Sequence, residues 1–171
     1  MLFPIAALQP CDYDQANTLL LAWGHKMGPI HRPPEYGFWA HQLLHEGKPV
    51  GLSVAAALVR DRVGGGLGHL TRGNTIELAR VCAERPGLCR VMVRLWTQFV
   101  FPTLGKPCAI SYQDSSMHRG DLYRFDGWER LAEVRASGTD QRTGRKGRPR
   151  VIWGWPVGAS AEQRDLLGGG Q

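Results

Sequence analysis

The stretch "SYQDSSMHRGDLYRFDGW", residues 111–128, brings an acid, an imidazole and a phenol close together where an apolar strand gives way to a short helix. Asp114 closes the strand, Ser115, Ser116, His118 and Gly120 make the turn, and Tyr123 follows on a helix that stops at Gly127. These are the side chains of general acid–base chemistry, one to accept a proton and another to supply it. Each also has a plainer role open to it. Asp114 can cap the next helix, Tyr123 can be a core phenol bonded to a backbone carbonyl, and His118 can sit in a surface turn.

Positioning those residues takes a particular order of elements. Residues 2–8 read as a first strand, and Asp12 or Asp14 can cap a helix whose apolar positions Ala16, Leu19, Leu20 and Trp23 share one face up to Gly24. "HKMGPIHRPP", residues 25–34, holds three prolines and one glycine and reads as a loop carrying His25, Lys26 and His31. Residues 36–59 read as a hairpin turning at Glu46, Gly47 and Lys48, with 50–59 the more buried arm. The Gly-rich stretch 64–74 lacks a phosphate-loop pattern and reads as a flexible connection, and 75–82, "TIELARVC", as a strand. From Pro86 to Pro102 the residues Leu88, Val91, Met92, Leu95, Trp96, Phe99 and Val100 follow the spacing of one helical face. Strand "KPCAISYQD", a short helix around 122–125 and two strands flanking a basic loop complete the pattern, with 158–171 as a frayed tail. Strand, helix, three strands, long helix, strand, short helix and two strands predict a mixed sheet with helices on its faces.

Composition narrows the setting. A chain of 171 residues with 43% hydrophobic content suits one compact domain, expected over 1–157. No run of about 18 apolar residues exists, and the start lacks the pattern of a signal peptide, so a cytoplasmic protein with no membrane partner is expected. Cys11, Cys82, Cys89 and Cys108 show no zinc spacing and read as small buried hydrophobes without a disulfide. The net charge of +6 is concentrated late: Arg135, Arg142, Arg145, Lys146, Arg148 and Arg150 face only Asp140 across residues 135–150. That segment is either a solvated loop or a contact for a phosphate backbone.

The element order, with a strand leading through a loop into a long amphipathic helix and later "LYRFDGW", resembles the GNAT superfamily of acyl-CoA-dependent N-acyltransferases over residues 2–157. The resemblance implies a GNAT-like α/β fold with a mixed, mostly antiparallel sheet. It also implies acetyl-CoA in the groove between the strands 75–82 and 108–114, its pyrophosphate held at the start of the long helix. The matching loop is "AERPGLCR", residues 83–90, where a second glycine is missing and Leu88 intervenes. The implied cofactor residues are Val81, Cys82, Arg85, Gly87, Leu88 and Arg90. More closely, "IELARVC", "ISYQD", "HRGDLYRFDGW" and "VIWGW" resemble the Mom family of phage proteins, which place a carbamoylmethyl group on the exocyclic amine of adenine and so shield phage DNA from restriction. On that resemblance Asp114, Tyr123 and His25 are the catalytic residues, although Lys26 stands where family members carry a tyrosine.

An adenine amine is a poor nucleophile, so Asp114 would accept its proton and Tyr123 would supply one to the departing thiolate. The base must leave the duplex to react; Tyr36, Phe38, Trp39 and Tyr112 are candidates to stack it, and Arg142, Arg145, Lys146, Arg148 and Arg150 to hold flanking phosphates of double-stranded DNA. The resemblance also admits iron, for which His25, Asp114 and Tyr123 offer nitrogen and oxygen donors, and a homodimer. Two other functions fit the same residues: an ordinary GNAT acetyltransferase of small amines or protein N-termini, and an inactive GNAT-fold protein that binds DNA against restriction.

Overall fold

The structure is a computed structural model that describes residues 5–135, 138 and 147–155. Seven strands form one mixed sheet in the order β1-β2-β3-β4-β5-β7-β6. They are β1 (Ala6–Cys11), β2 (Phe38–His45), β3 (Lys48–Ala57), β4 (Thr75–Ala83), β5 (Cys108–Asp114), β6 (Glu129–Val134) and β7 (Arg150–Trp155). The helices are α1 (Tyr13–Ala22), α2 (Leu88–Leu95) and α3 (Asp121–Arg124). This is the order expected from the sequence. Two compact units are built from it, one from residues up to Ala57 together with Glu77–Gly105, the other from Leu58–Ile76 together with Lys106 onward.

In the first unit β1 and β2 pair antiparallel from Ala6↔His45 to Cys11↔Ala40, and β2 and β3 form a hairpin. Its turn takes positive φ at both Glu46 (51°) and Gly47 (77°), the geometry that keeps a two-residue turn in step with strand twist. The first strand starts four residues later and ends three residues later than the expected 2–8, and it includes Pro10. An edge strand tolerates a proline because one side of its backbone needs no partner. Helix α1 starts as expected at Asp12, whose Oδ1 accepts from Gln15 N–H at 2.7 Å. Its buried Ala16 and Leu20 meet Ala40, Leu52, Val54, Cys82 and Ile30. The 25–34 loop is not loose: Ile30 N–H donates to Asn17 Oδ1 at 2.8 Å, Asn17 Nδ2 donates back to Ile30 O at 3.2 Å, and Tyr13 Oη also donates to that carbonyl. Across the hairpin His41 stands opposite Ser53, and His41 Nδ1 and Ser53 Oγ are both buried without a hydrogen-bond partner among the described residues.

The long helix departs from its expected face. After α2 the chain opens into a π-helical turn, Trp96–Val100, in which Phe101 N–H bonds Trp96 O, and then closes into a 3₁₀ turn, Phe101–Leu104. The buried residues are Met92, Val93, Trp96, Thr97, Val100 and Phe101, all at a spacing of four, whereas Val91 is 40% and Phe99 61% exposed. In a regular α-helix a spacing of four drifts by about 40° at each step. The wider π turn takes that drift back, so two adjacent rows remain inside and the expected row through Val91 and Phe99 turns out. Gly51 on β3 admits this packing: a Cβ there would lie 2.7 Å from Met92 Sδ.

The second unit holds β5, β7 and β6, antiparallel with Ser111↔Trp153, Asp114↔Arg150 and Val134↔Arg150 in register. Leu58, Val63, Leu70, Ile110 and Ile152 form its apolar cluster. The Gly-rich connection is closed by a bridge between Arg62 and Thr71 and by Asn74, whose Oδ1 accepts from Thr71 N–H at 2.8 Å. Among the described residues no helix is long and apolar enough to cross a membrane. The expected tail, 158–171, lies outside the described residues.

Candidate active site

Asp114 ends β5, and both of its carboxylate oxygens are engaged. Oδ1 accepts from Ser116 N–H at 3.0 Å and from the Ser116 hydroxyl, while Oδ2 accepts from Arg148 Nη1 at 3.2 Å. Partial burial pushes its pKa up, but the Ser116 hydrogen bonds and the Arg148 guanidinium outweigh this and hold the carboxyl below the ordinary aspartate value. A carboxylate held this way stays ionised and binds a proton weakly. Its geometry equips it to close the turn and to seat Arg148, which also reaches Met117 Sδ at 3.5 Å.

Tyr123 lies inside the second unit, 8% exposed. Its hydroxyl is 2.8 Å from Ser111 Oγ, its ring stacks on Trp153 at 5.8 Å and 22°, and Trp128 meets it edge-on at 5.3 Å and 66°. Trp153 is fixed in turn, since Nε1–H donates to Gln113 Oε1 at 2.7 Å, and Gln113 Nε2 donates to the backbone oxygen of His118. His118 thus contributes its carbonyl to the network while its side chain is exposed. Gly120, with φ +82°, brings the chain over this pair so closely that a Cβ would fall 2.5 Å from Gln113 Oε1. Ser111 and Gln113 share a face of β5, and Tyr112 between them is 36% exposed on the other. The result is a phenol held in one orientation by an aromatic wall and a buried hydroxyl. Ser111, Gln113 and Trp153 were not among the expected site residues; two polar residues at a spacing of two in an apolar strand were the available signal.

The first unit carries the turn from β4 into α2. Glu84 N–H donates to Val50 O at 3.0 Å, which anchors the turn, and Gly87 with φ +91° starts the helix with no side-chain cap. A helix opened by glycine leaves its first N–H groups for an outside acceptor. Arg85 and Arg90 flank it in exposed positions, Val81 and Leu88 are half-buried, and Cys82 is buried. Burial raises the Cys82 and Cys89 thiols, so both stay protonated. His25 also belongs to this unit, just after α1, where its N–H donates to Leu20 O at 2.9 Å and its Nδ1 accepts from Met27 N–H at 3.2 Å. Asp114 and Tyr123 belong to the second unit.

Of the basic loop, Arg148 and Arg150 are exposed beside the Asp114 turn, whereas Arg142, Arg145 and Lys146 lie outside the described residues. Iron finds no support here: among the described residues no three of His, Cys, Asp and Glu converge as a metal site, and Asp114 has given its oxygens to Ser116 and Arg148.

No family model matches the chain, and no curated protein matches its sequence. Solved structures do match its fold. An aminoglycoside acetyltransferase solved with coenzyme A is 15% identical, with a TM-score of 0.61 over 93% of this chain and 99% of that one. The ribosomal-protein-S18-alanine N-acetyltransferase of Escherichia coli is 13% identical, with a TM-score of 0.56 over 89% and 94%. A GNAT-family structure from Desulfovibrio desulfuricans is 14% identical, with a TM-score of 0.58 over 89% and 99%. This chain therefore has the GNAT acetyltransferase fold.

Proposed function

We propose that the protein is an acyl-CoA-dependent N-acyltransferase that acts on an amine. The observation that carries this reading is the glycine-led start of α2, uncapped by any side chain and flanked by Arg85 and Arg90. Backbone N–H groups at a helix start, with the helix dipole and two guanidinium groups, suit a pyrophosphate. A structural neighbour of the same fold was solved with coenzyme A. Bound acetyl-CoA would supply the activated acyl group as a thioester. Of the chain's own groups, the Tyr123 hydroxyl, 2.8 Å from Ser111 Oγ and held in one orientation, is the one suited to proton transfer. Acetyl-CoA at about 100 times its dissociation constant should add about 2.7 kcal/mol of stability. An unchanged melting temperature at millimolar acetyl-CoA would remove this reading and favour the inactive GNAT-fold alternative.

A second reading, that the amine is the exocyclic amine of adenine in DNA and the enzyme is Mom-like, is favoured by one observation. Arg148 and Arg150 stand exposed at the start of β7 beside the Asp114 turn, in a chain of net charge +6. Each phosphate contact should steepen the fall of log affinity with log salt by about 0.9. Replacing Arg148 and Arg150 together by alanine should therefore make that slope shallower by about 2 units. Nucleoside mass spectrometry of DNA from expressing cells decides whether adenine is modified; unmodified DNA together with acetylation of small amines leaves the first reading alone.

A further inference from the structure

Glu77 is 6% exposed and meets Arg32 through both of its carboxylate oxygens. Arg32 Nη2 donates to its Oε1 at 3.0 Å and lies 2.9 Å from its Oε2, while Arg32 Nη1 donates to Ala57 O at 3.0 Å. Farther along β4, Arg80 carries a second guanidinium close enough for both charges to act on it. Its Nε donates to Gly28 O at 3.3 Å and its Nη1 to Ala79 O at 2.7 Å, both uncharged acceptors. Among the described residues no carboxylate reaches ion-pair distance of Arg80, and its Nη2 has no hydrogen-bond partner.

Two guanidinium groups thus share one carboxylate, and the one that does not touch it is half-buried. Burial weakens Arg80's hold on its proton, Glu77 partly restores it, and Arg32 weakens it again. A cation withdrawn from water is stable when an anion meets it, and the planar edge of a guanidinium matches two oxygens of a carboxylate or phosphate. Asn17 and Tyr13 hold the 25–34 loop at Ile30, so the Arg80 bond to Gly28 O is one anchor of that loop among several and uses only one edge of the guanidinium.

We propose that Arg80, beside Gly28 at the Arg32–Glu77 pair, is a binding site for an oxyanion: a carboxylate or phosphate group of a small ligand. Within the acyltransferase reading it selects amine acceptors that bear such a group, but binding itself does not depend on that reading.

The test uses full-length protein carrying Arg85→Ala and Arg90→Ala, which removes the cations at the start of α2, and needs no acyl donor. Inorganic phosphate and succinate are titrated separately at an ionic strength held constant with sodium chloride. The readouts are the Arg80 Nε–H resonance and the melting temperature. A saturable shift of that resonance with a rise in melting temperature is expected for at least one anion. Arg80→Gln should weaken that anion about tenfold or more. Tighter binding of phosphate assigns the site to a phosphate group, and tighter binding of succinate to a carboxylate. Absence of saturation by either anion at tens of millimolar, an equal effect of chloride, or undiminished binding in Arg80→Gln would overturn the proposal. Should Arg80→Gln not fold, the resonance of the parent protein decides alone.

Discussion

Gly120→Ala tests the network that holds Tyr123. The new Cβ would lie 2.5 Å from Gln113 Oε1 and 2.7 Å from Trp153 Cζ2, and neither neighbour can yield freely. Gln113 and Trp153 are each 6% exposed, they bond each other at 2.7 Å, and Trp153 is stacked on Tyr123. Alanine at φ +82° costs about 1–2 kcal/mol before any contact is counted. Overpacking adds about 1–3 kcal/mol, or, if Gln113 turns away instead, a buried indole N–H loses its acceptor at a similar cost. The sum is about 2–5 kcal/mol. For a chain of this size that lowers the melting temperature by about 4–20 °C, to be read by calorimetry alongside the near-ultraviolet circular dichroism of the tryptophans. Gly68→Ala is the control, since nothing lies within 4 Å of its Cβ, and it should stay within about 0.5 kcal/mol of the parent. A loss below about 2 °C for Gly120→Ala, or an equal loss for Gly68→Ala, would refute the argument.

Three further outcomes are expected. Arg32→Met removes the guanidinium that meets both oxygens of the buried Glu77 carboxylate and should cost about 3–5 kcal/mol in denaturant unfolding, while adding Glu77→Leu should recover most of it; no recovery would mean that Arg32 acts through packing. Tyr123→Phe should cost only about 1 kcal/mol of stability, for the lost Ser111 bond, but slow acetyl transfer about 100-fold, and an unchanged kcat would return Tyr123 to the core. Burial lowers the pKa of His41, so below its ordinary value the unfolded chain takes up a proton that the folded one refuses. Stability should therefore fall as pH drops from about 7 to about 5, and His41→Gln should flatten that part of the profile; an unaltered slope would assign it to another group.

Much of the architecture is legible because its signals are local. The pair Glu46–Gly47 demands its turn, Asp12 caps α1 within one turn of chain, and the apolar runs of β3 and β5 are bounded by breakers on both sides. What escapes a reading of the chain depends on partners distant in sequence. Gln113 is tied to Trp153 forty positions later, Arg32 to Glu77 across the β2–β3 hairpin, and Asn17 to Ile30 across a loop. The residues from Leu88 to Val100 satisfy an α-helical period on paper, and no local rule says that the helix will widen at Trp96. Asp114 and Tyr123 were visible as candidates, but the engagement of one with Arg148 and the orientation of the other by Ser111 are tertiary facts.

The π turn at Trp96–Val100 has a consequence for how this segment tolerates changes in length. Its ring from Trp96 O to Phe101 N–H contains one residue more than an α-helical ring needs. Removing one residue between them would relax the turn to ordinary α-helix instead of breaking it, but everything beyond would rotate by about 100°. Phe101 and Val100, now inside, would swing away from the core, and Pro102 would meet the helix at a different angle. The extra residue is thus a phase adjuster: it lets a single continuous rod present one registry to the sheet at its start and another at its end. Insertions and deletions here are read by the protein as rotations, and their effect should depend on which side of Trp96 they fall.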